Sequence, residues 1–215
     1  MRKSFLLITL IVILSLLPLF TGNCSFQEAY ELYKQEKYYD AEKILLRLKE
    51  LTPDNLDIYA VLGWCYLNTG RQSKAIDISE EGLERNPKDT RLLTTIGRAY
   101  LELKRHKRAI PYLEKSISMD PNYEFNYYYL GRVYLDQEKY ILAETALSAA
   151  IMLSDKRWYF YKYRGLVYER LSNYNAAEQD YKKALSLKPN DPRLKEDLIR
   201  VISMQTEQMQ QEMQF

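Results

Sequence analysis

His106 is the only histidine in this 215-residue chain, and Cys24 and Cys65 are its only cysteines. A zinc site of the usual kind draws three or four ligands from these side chains and carboxylates. One histidine and two cysteines 41 positions apart do not assemble one. A histidine-based nucleophilic triad needs His106 beside a serine and an orienting acid, and no motif sets up that arrangement. Glu80, Glu81 and Glu84 are spaced as on a solvated helix face rather than as paired acid and base. Of the six glycines after residue 23, none is clustered as in a phosphate-cradling loop. The chain therefore reads as a non-enzyme with no cofactor and no metal.

The basic run KRHKR at 104–108 is read as a solvated turn. Global charge gives it no support as a nucleic-acid site. Arg2 and Lys3 account for the whole formal excess of +2, and beyond residue 23 basic and acidic side chains number 29 each. A neutral chain has no basic field to draw it to DNA or RNA. With 47% hydrophobic residues, the chain has enough apolar material for a substantial core, expected as one domain.

Residues 1–23 have the layout of a secretory signal. MRKS is a positive start, FLLITLIVILSLL an apolar run, and PLFTGN a polar exit. From Phe5 to Phe20 the apolar stretch is 16 residues, interrupted by Pro18. That is short of the about 20 that a comfortable transmembrane helix needs, so cleavage is expected. Cys24 follows at once. Ser25 and Glu28 then form a Ser-x-x-Glu capping box at the start of the first helix. Cys65 lies among small apolar neighbours and reads as a buried structural thiol. It lies about seven residues further along its own helix than Cys24, roughly 10 Å of axial offset at 1.5 Å per residue. A disulfide needs α-carbons within about 7 Å, so the two are expected to stay unpaired.

The elements that carry these residues repeat. Gly63, Gly97, Gly131 and Gly165 are spaced by 34, as are Tyr66, Tyr100, Tyr134 and Tyr168, and Ala41, Ala75, Ala109, Ala143 and Ala177. Pro53, Pro87 and Pro121 keep the same step, with Pro189 two periods on. Five copies follow without insertion: 22–55, 56–89, 90–123, 124–157 and 158–191. Each reads as two amphipathic helices, as Tyr127, Leu130, Gly131 and Tyr134 show at i, i+3, i+4 and i+7. A glycine held inside the first helix, where it costs about 1 kcal/mol relative to alanine, implies close approach of the second. His106 shares a column with Tyr38, Gln72, Tyr140 and Tyr174, the place of a packing ring in the turn.

LGWCYLNTG, IGRAYLELK, LGRVYLDQEKY and RGLVYERLSNY, each followed by the alanine column and a closing proline or its replacement, resemble tetratricopeptide repeats. The resemblance covers residues 22–191. It implies an all-α, helix-turn-helix solenoid, a right-handed superhelix of about five repeats plus a capping helix at 192–204, with a polar tail at 205–215. Ala29, Asp155 and Arg164 depart from the pattern. Arg164 takes a normally apolar slot, and its head is expected to reach solvent or a partner.

By the same resemblance, the first helices line a groove that binds a peptide or protein segment. Its columns contribute Trp64, Arg91, Arg98, Phe125, Tyr128, Arg132, Tyr159 and Lys162. Aromatic rings with arginines suit an aromatic or acidic ligand. The lysine–asparagine pattern that clamps a C-terminal carboxylate in some members is absent. LFTGNCS resembles a relaxed lipobox, with Asn23 departing from the usual small residue. The resemblance to bacterial lipoproteins of this repeat family implies lipidation at Cys24 and an envelope scaffold held at a membrane, the outer membrane being favoured because Ser25 is not aspartate. The alternative is a soluble periplasmic or secreted peptide-binding chaperone with an unmodified N-terminus.

Overall fold

The computed structural model describes residues 25–213. The leader at 1–23 and the proposed lipidation site Cys24 lie outside the described residues. Among those described are eleven helices and no strands. The chain divides into two compact units, one ending at Arg85 and the other beginning at Asn86. Stacked repeats bury surface mainly against their neighbours, so contacts stay local in sequence.

The first unit holds α1 (Phe26–Lys34), α2 (Tyr38–Leu51), α3 (Leu56–Asn68) and α4 (Gln72–Arg85). Ser25 caps α1 by accepting the Glu28 amide at 3.0 Å. Asn55 does the same for α3 through the Asp57 amide. Arg71 ties the hairpins together, its guanidinium donating to both Glu42 oxygens at 3.0 and 2.7 Å. Ser79 is fully buried where the other copies carry Leu45, Leu113, Leu147 and Tyr181, and its hydroxyl has no hydrogen-bond partner among the described residues.

The second unit holds α5 (Thr90–Glu102), α6 (His106–Met119), α7 (Glu124–Asp136), α8 (Tyr140–Leu153), α9 (Trp158–Arg170), α10 (Tyr174–Leu187) and α11 (Pro192–Glu212). Proline at the first position of α11 and Asp191 as its cap, accepting the Arg193 and Leu194 amides, fix where that helix starts. It then runs unbroken to Glu212, so residues 205–212 continue the capping helix as helix.

Two columns explain the tight hairpins. The alanines at 41, 75, 109, 143 and 177 are fully buried. A methyl on Gly131 would lie 2.6 Å from Leu147 Cγ and 3.3 Å from the Ala143 carbonyl; on Gly97 it would meet Leu113 at 2.6 Å. The glycines are therefore kept for space. The turn residues keep the period too: Glu36, Gly70, Lys104, Glu138 and Ser172 all have φ between 57° and 72°. The amide of the residue after each donates back to a carbonyl of the last helical turn, as Lys37 to Leu32 and Asn173 to Tyr168, which closes the helix end with a left-handed residue.

Arg164 does not reach for solvent or a partner. It donates to both oxygens of Asp180 at 2.8 Å and to Ser148 Oγ at 3.1 Å. Other copies place Leu62 with Ile78, Ile96 with Tyr112, and Leu130 with Ala146 at these two positions. The charge at 164 is thus matched by a second departure 16 residues later. Burial pushes the Asp180 carboxyl above the usual range, against the opposing pull of Arg164.

Candidate functional site

In the second unit, α5, α7 and α9 gather most of the aromatic and cationic side chains predicted for the groove. The helical period fixes this: residues 34 apart fall on equivalent faces of successive first helices. Tyr128 is buried and forms the floor. Its ring centroid lies 4.9 Å from Tyr129, 5.1 Å from Tyr159, 5.0 Å from Phe160 and 5.6 Å from Tyr163. Phe125 joins one side, edge-on to Phe160 at 6.2 Å and beneath the Arg157 guanidinium at 5.3 Å. Tyr159 is half-buried, and burial pushes its phenol up to about 12. Burial raises Tyr128 further in the same direction. Both rings therefore stay protonated, neutral and able to donate at neutral pH.

The predicted cations divide by what already holds them. Arg91 folds back on its helix cap, 2.8 Å from Asp89. Arg98 donates to Glu102 at 2.8 Å and lies 5.8 Å from the Tyr129 ring. Lys162 pairs with Asp197 of α11 at 3.3 Å. Arg132 differs. Its guanidinium is half-buried over the faces of Tyr163, at 4.8 Å, and Tyr128, at 5.5 Å. No carboxylate of the described residues bonds to it or pairs with it. Burial disfavours its charge, while the surrounding tyrosines and, at longer range, Glu102 favour it.

Trp64 belongs to the first unit. It ends an aromatic row there, 5.8 Å from Tyr33, which stacks on Tyr30 and through it on Phe26 at 6.1 Å each. Phe26, Tyr30 and Tyr33 escaped the sequence reading. Their signal is present, since the three lie at i, i+4 and i+7 along one helix face. Tyr163 and Phe160 escaped it too. Each stands next in order to a residue named for the groove, and only packing shows that Tyr163 supplies the upper face for Arg132.

Cys65 is fully buried, and burial pushes its thiol up to about 12. His106 Nε2 lies 3.2 Å from Asp136 Oδ2, which Lys104 also approaches, at 2.7 Å. The turn around them lines a shallow basic hollow of about 400 Å³ with Arg105, Lys107, Arg108 and Gln137. Among the described residues no group of three or more histidine, cysteine and acidic side chains is placed to hold a metal. None of their helices is long and apolar enough to cross a membrane.

Tetratricopeptide repeat family models match residues 26–99, 90–123 and 158–191. The chain is similar to TTC0263, a thermophilic TPR protein of Thermus thermophilus. The TM-score is 0.72 at 21% identity, covering 84% of this chain and 97% of that one. A chain of the APC/C hetero-tetramer Cut9–Hcn1 aligns with TM-score 0.75 at 18% identity, over 80% of this chain and 35% of that one. YrrB, described as a TPR protein with an unusual peptide-binding site, aligns with TM-score 0.54 at 20% identity, over 77% of this chain and 85% of that one. These likenesses show the fold. A curated relative, anaphase-promoting complex subunit 3 of Dictyostelium discoideum, is 34% identical over 68 residues, 32% of this chain. The match spans 7% of that protein's length.

Proposed function

Because the chain belongs to the tetratricopeptide repeat family, we propose that it is a non-enzymatic scaffold that holds a peptide or protein segment against the face of α5, α7 and α9. The observation that carries this reading is Arg132. Its partly buried guanidinium bonds to no carboxylate of the described residues, Glu102 acting on it only through longer-range attraction, and a ligand carboxylate would add charge-assisted hydrogen bonds there. The ring cluster around it supplies apolar contact area. The preferred ligand is therefore an extended segment with an aspartate or glutamate beside an aromatic or aliphatic residue. A peptide array scanned with the folded chain, followed by calorimetry on the best binder, tests this. Arg132→Ala should weaken binding at least tenfold with the helical signal unchanged. Equal binding by the variant would remove the site from this face.

The envelope placement rests on the apolar leader and on LFTGNCS at residues 19–25. In this reading Cys24 is acylated after cleavage, and with Ser25 already capping α1 the first hairpin would sit close to the bilayer. Asn23 favours the second reading, a soluble periplasmic or secreted peptide-binding chaperone. The intact mass of the mature N-terminus separates the two: acyl chains on Cys24 support the anchor, and an unmodified N-terminus supports the soluble form.

A further inference from the structure

The hairpin turns of the second unit differ in what they carry. Residues 104–108, between α5 and α6, are four cations and a histidine, whereas residues 172–176, two turns on, carry no charge. Lys104 is committed, sharing Asp136 with His106 at 2.7 and 3.2 Å. Arg105, Lys107 and Arg108 are exposed and pair with no carboxylate of the described residues. Arg108 meets only the Tyr100 ring, at 5.8 Å.

The turn between α7 and α8 stands beside this one. Lys104 and His106 both reach Asp136 of α7, and Gln137 helps to line the basic hollow. Here Ile141 is 64% exposed and Leu142 48%, and Lys139 is exposed and unpaired. Ile141 and Leu142 lie one period after Lys107 and Arg108. Both pairs are the second and third residues of a hairpin's second helix, so aliphatic and cationic tips project from the same edge. Neither helix has an acid in its first turn. Four carboxylates lie on these turns or within one helical turn of them. Glu102 is held by Arg98, Asp136 by Lys104, and Glu144 accepts from the Tyr168 hydroxyl. Glu138 is exposed and has no partner among the described residues. Four unpaired cations therefore stand against one unpaired acid.

We propose that this edge of the second unit docks on a membrane surface rich in anionic lipid. Arg105, Lys107, Arg108 and Lys139 meet the headgroups, and Ile141 and Leu142 enter the layer beneath. The surface potential of an anionic bilayer attracts lysine and arginine close to it, and apolar side chains beside them add burial at the headgroup boundary. The combination selects this occupant. An acidic peptide would answer the cations but leave two adjacent aliphatic tips in water, and an apolar partner would strand the cations. An anionic bilayer answers both. The docking requires neither acylation of Cys24 nor a ligand at Arg132.

A polarity-sensitive fluorophore on Ile141→Cys, in the full chain carrying Cys24→Ser, tests the contact; Cys65 is buried and stays unlabelled. Phosphatidylcholine vesicles with about 30% phosphatidylglycerol should shift the emission to the blue, and pure phosphatidylcholine should not. Where the leader holds the chain on both kinds of vesicle, the reporter still reads only whether this edge meets the bilayer. The same fluorophore on Met152→Cys, at a site 87% exposed and roughly 16 Å further along α8, should stay unshifted. Arg105→Glu with Lys107→Glu and Arg108→Glu should reduce the Ile141→Cys shift at least tenfold while circular dichroism stays unchanged. No shift on anionic vesicles, an equal shift on phosphatidylcholine or at Met152→Cys, or a shift that survives the charge reversal would overturn the docking. So would the same shift with poly-glutamate in solution, which would make an acidic protein segment the occupant.

Discussion

Arg132 has the character of a binding residue because the fold gains little from it. Its contacts are two tyrosine faces, each cation–π contact worth about 0.5–2 kcal/mol, set against the cost of leaving a charge half-desolvated. Arg132→Met should therefore change unfolding stability in urea by less than about 1 kcal/mol, even though it removes the ligand's carboxylate partner. Cys65 shows the opposite character. With its thiol pushed up to about 12 by burial, almost none is thiolate at pH 8. Iodoacetamide should leave it unlabelled in the folded chain and label it once denaturant opens the first unit. Labelling in the folded chain at the denatured rate would contradict its burial.

At the scale of elements, the fifth hairpin carries the most informative departure. Removing one member of a largely buried ion pair costs about 3–5 kcal/mol, because the other charge is stranded. Asp180→Ala should therefore destabilise by about 3 kcal/mol. Arg164→Leu with Asp180→Ala restores the apolar pair of the preceding copy, Leu130 with Ala146, and should recover most of that loss in the same urea titration. The turns make a second element-scale prediction. Ser172 holds φ at 57°, where a side chain is strained and glycine is not. Ser172→Gly should raise stability by about 0.5–1 kcal/mol, since Gly70 already fills the equivalent place. A loss on that substitution would mean that the Ser172 side chain contributes more than its backbone strain costs.

For the whole molecule, the repeat was legible from sequence because it is unbroken. Glycine, alanine and tyrosine columns in one phase identify helix pairs without any structure. What the columns do not encode is which ring lies under which, or which cation a neighbour has already claimed. Tyr128 proved to be a floor, Lys162 is held by Asp197 of α11, and Arg164 is satisfied by Asp180 of its own hairpin and Ser148 of the preceding one. The last was within reach, since two apolar columns fail together in one copy at 164 and 180. Tyr163, by contrast, gains its role from the guanidinium that happens to rest on it, and no spacing rule marks that. Residues 205–215 looked like a polar tail because glutamine dominates them. Their helical character becomes visible only once α11 is known to run on to Glu212.

The central claim is that Arg132 completes its charge with a carboxylate from a bound segment, and reciprocal charge exchange measures this most directly. Affinity of the best acidic peptide should fall at least tenfold with Arg132→Glu, and equally when the peptide's acidic residue is changed to lysine. Combining the two changes should restore a substantial part of the binding. If the two losses simply add and the combined pair binds no better than either alone, the carboxylate does not meet Arg132, and the account of this face is wrong.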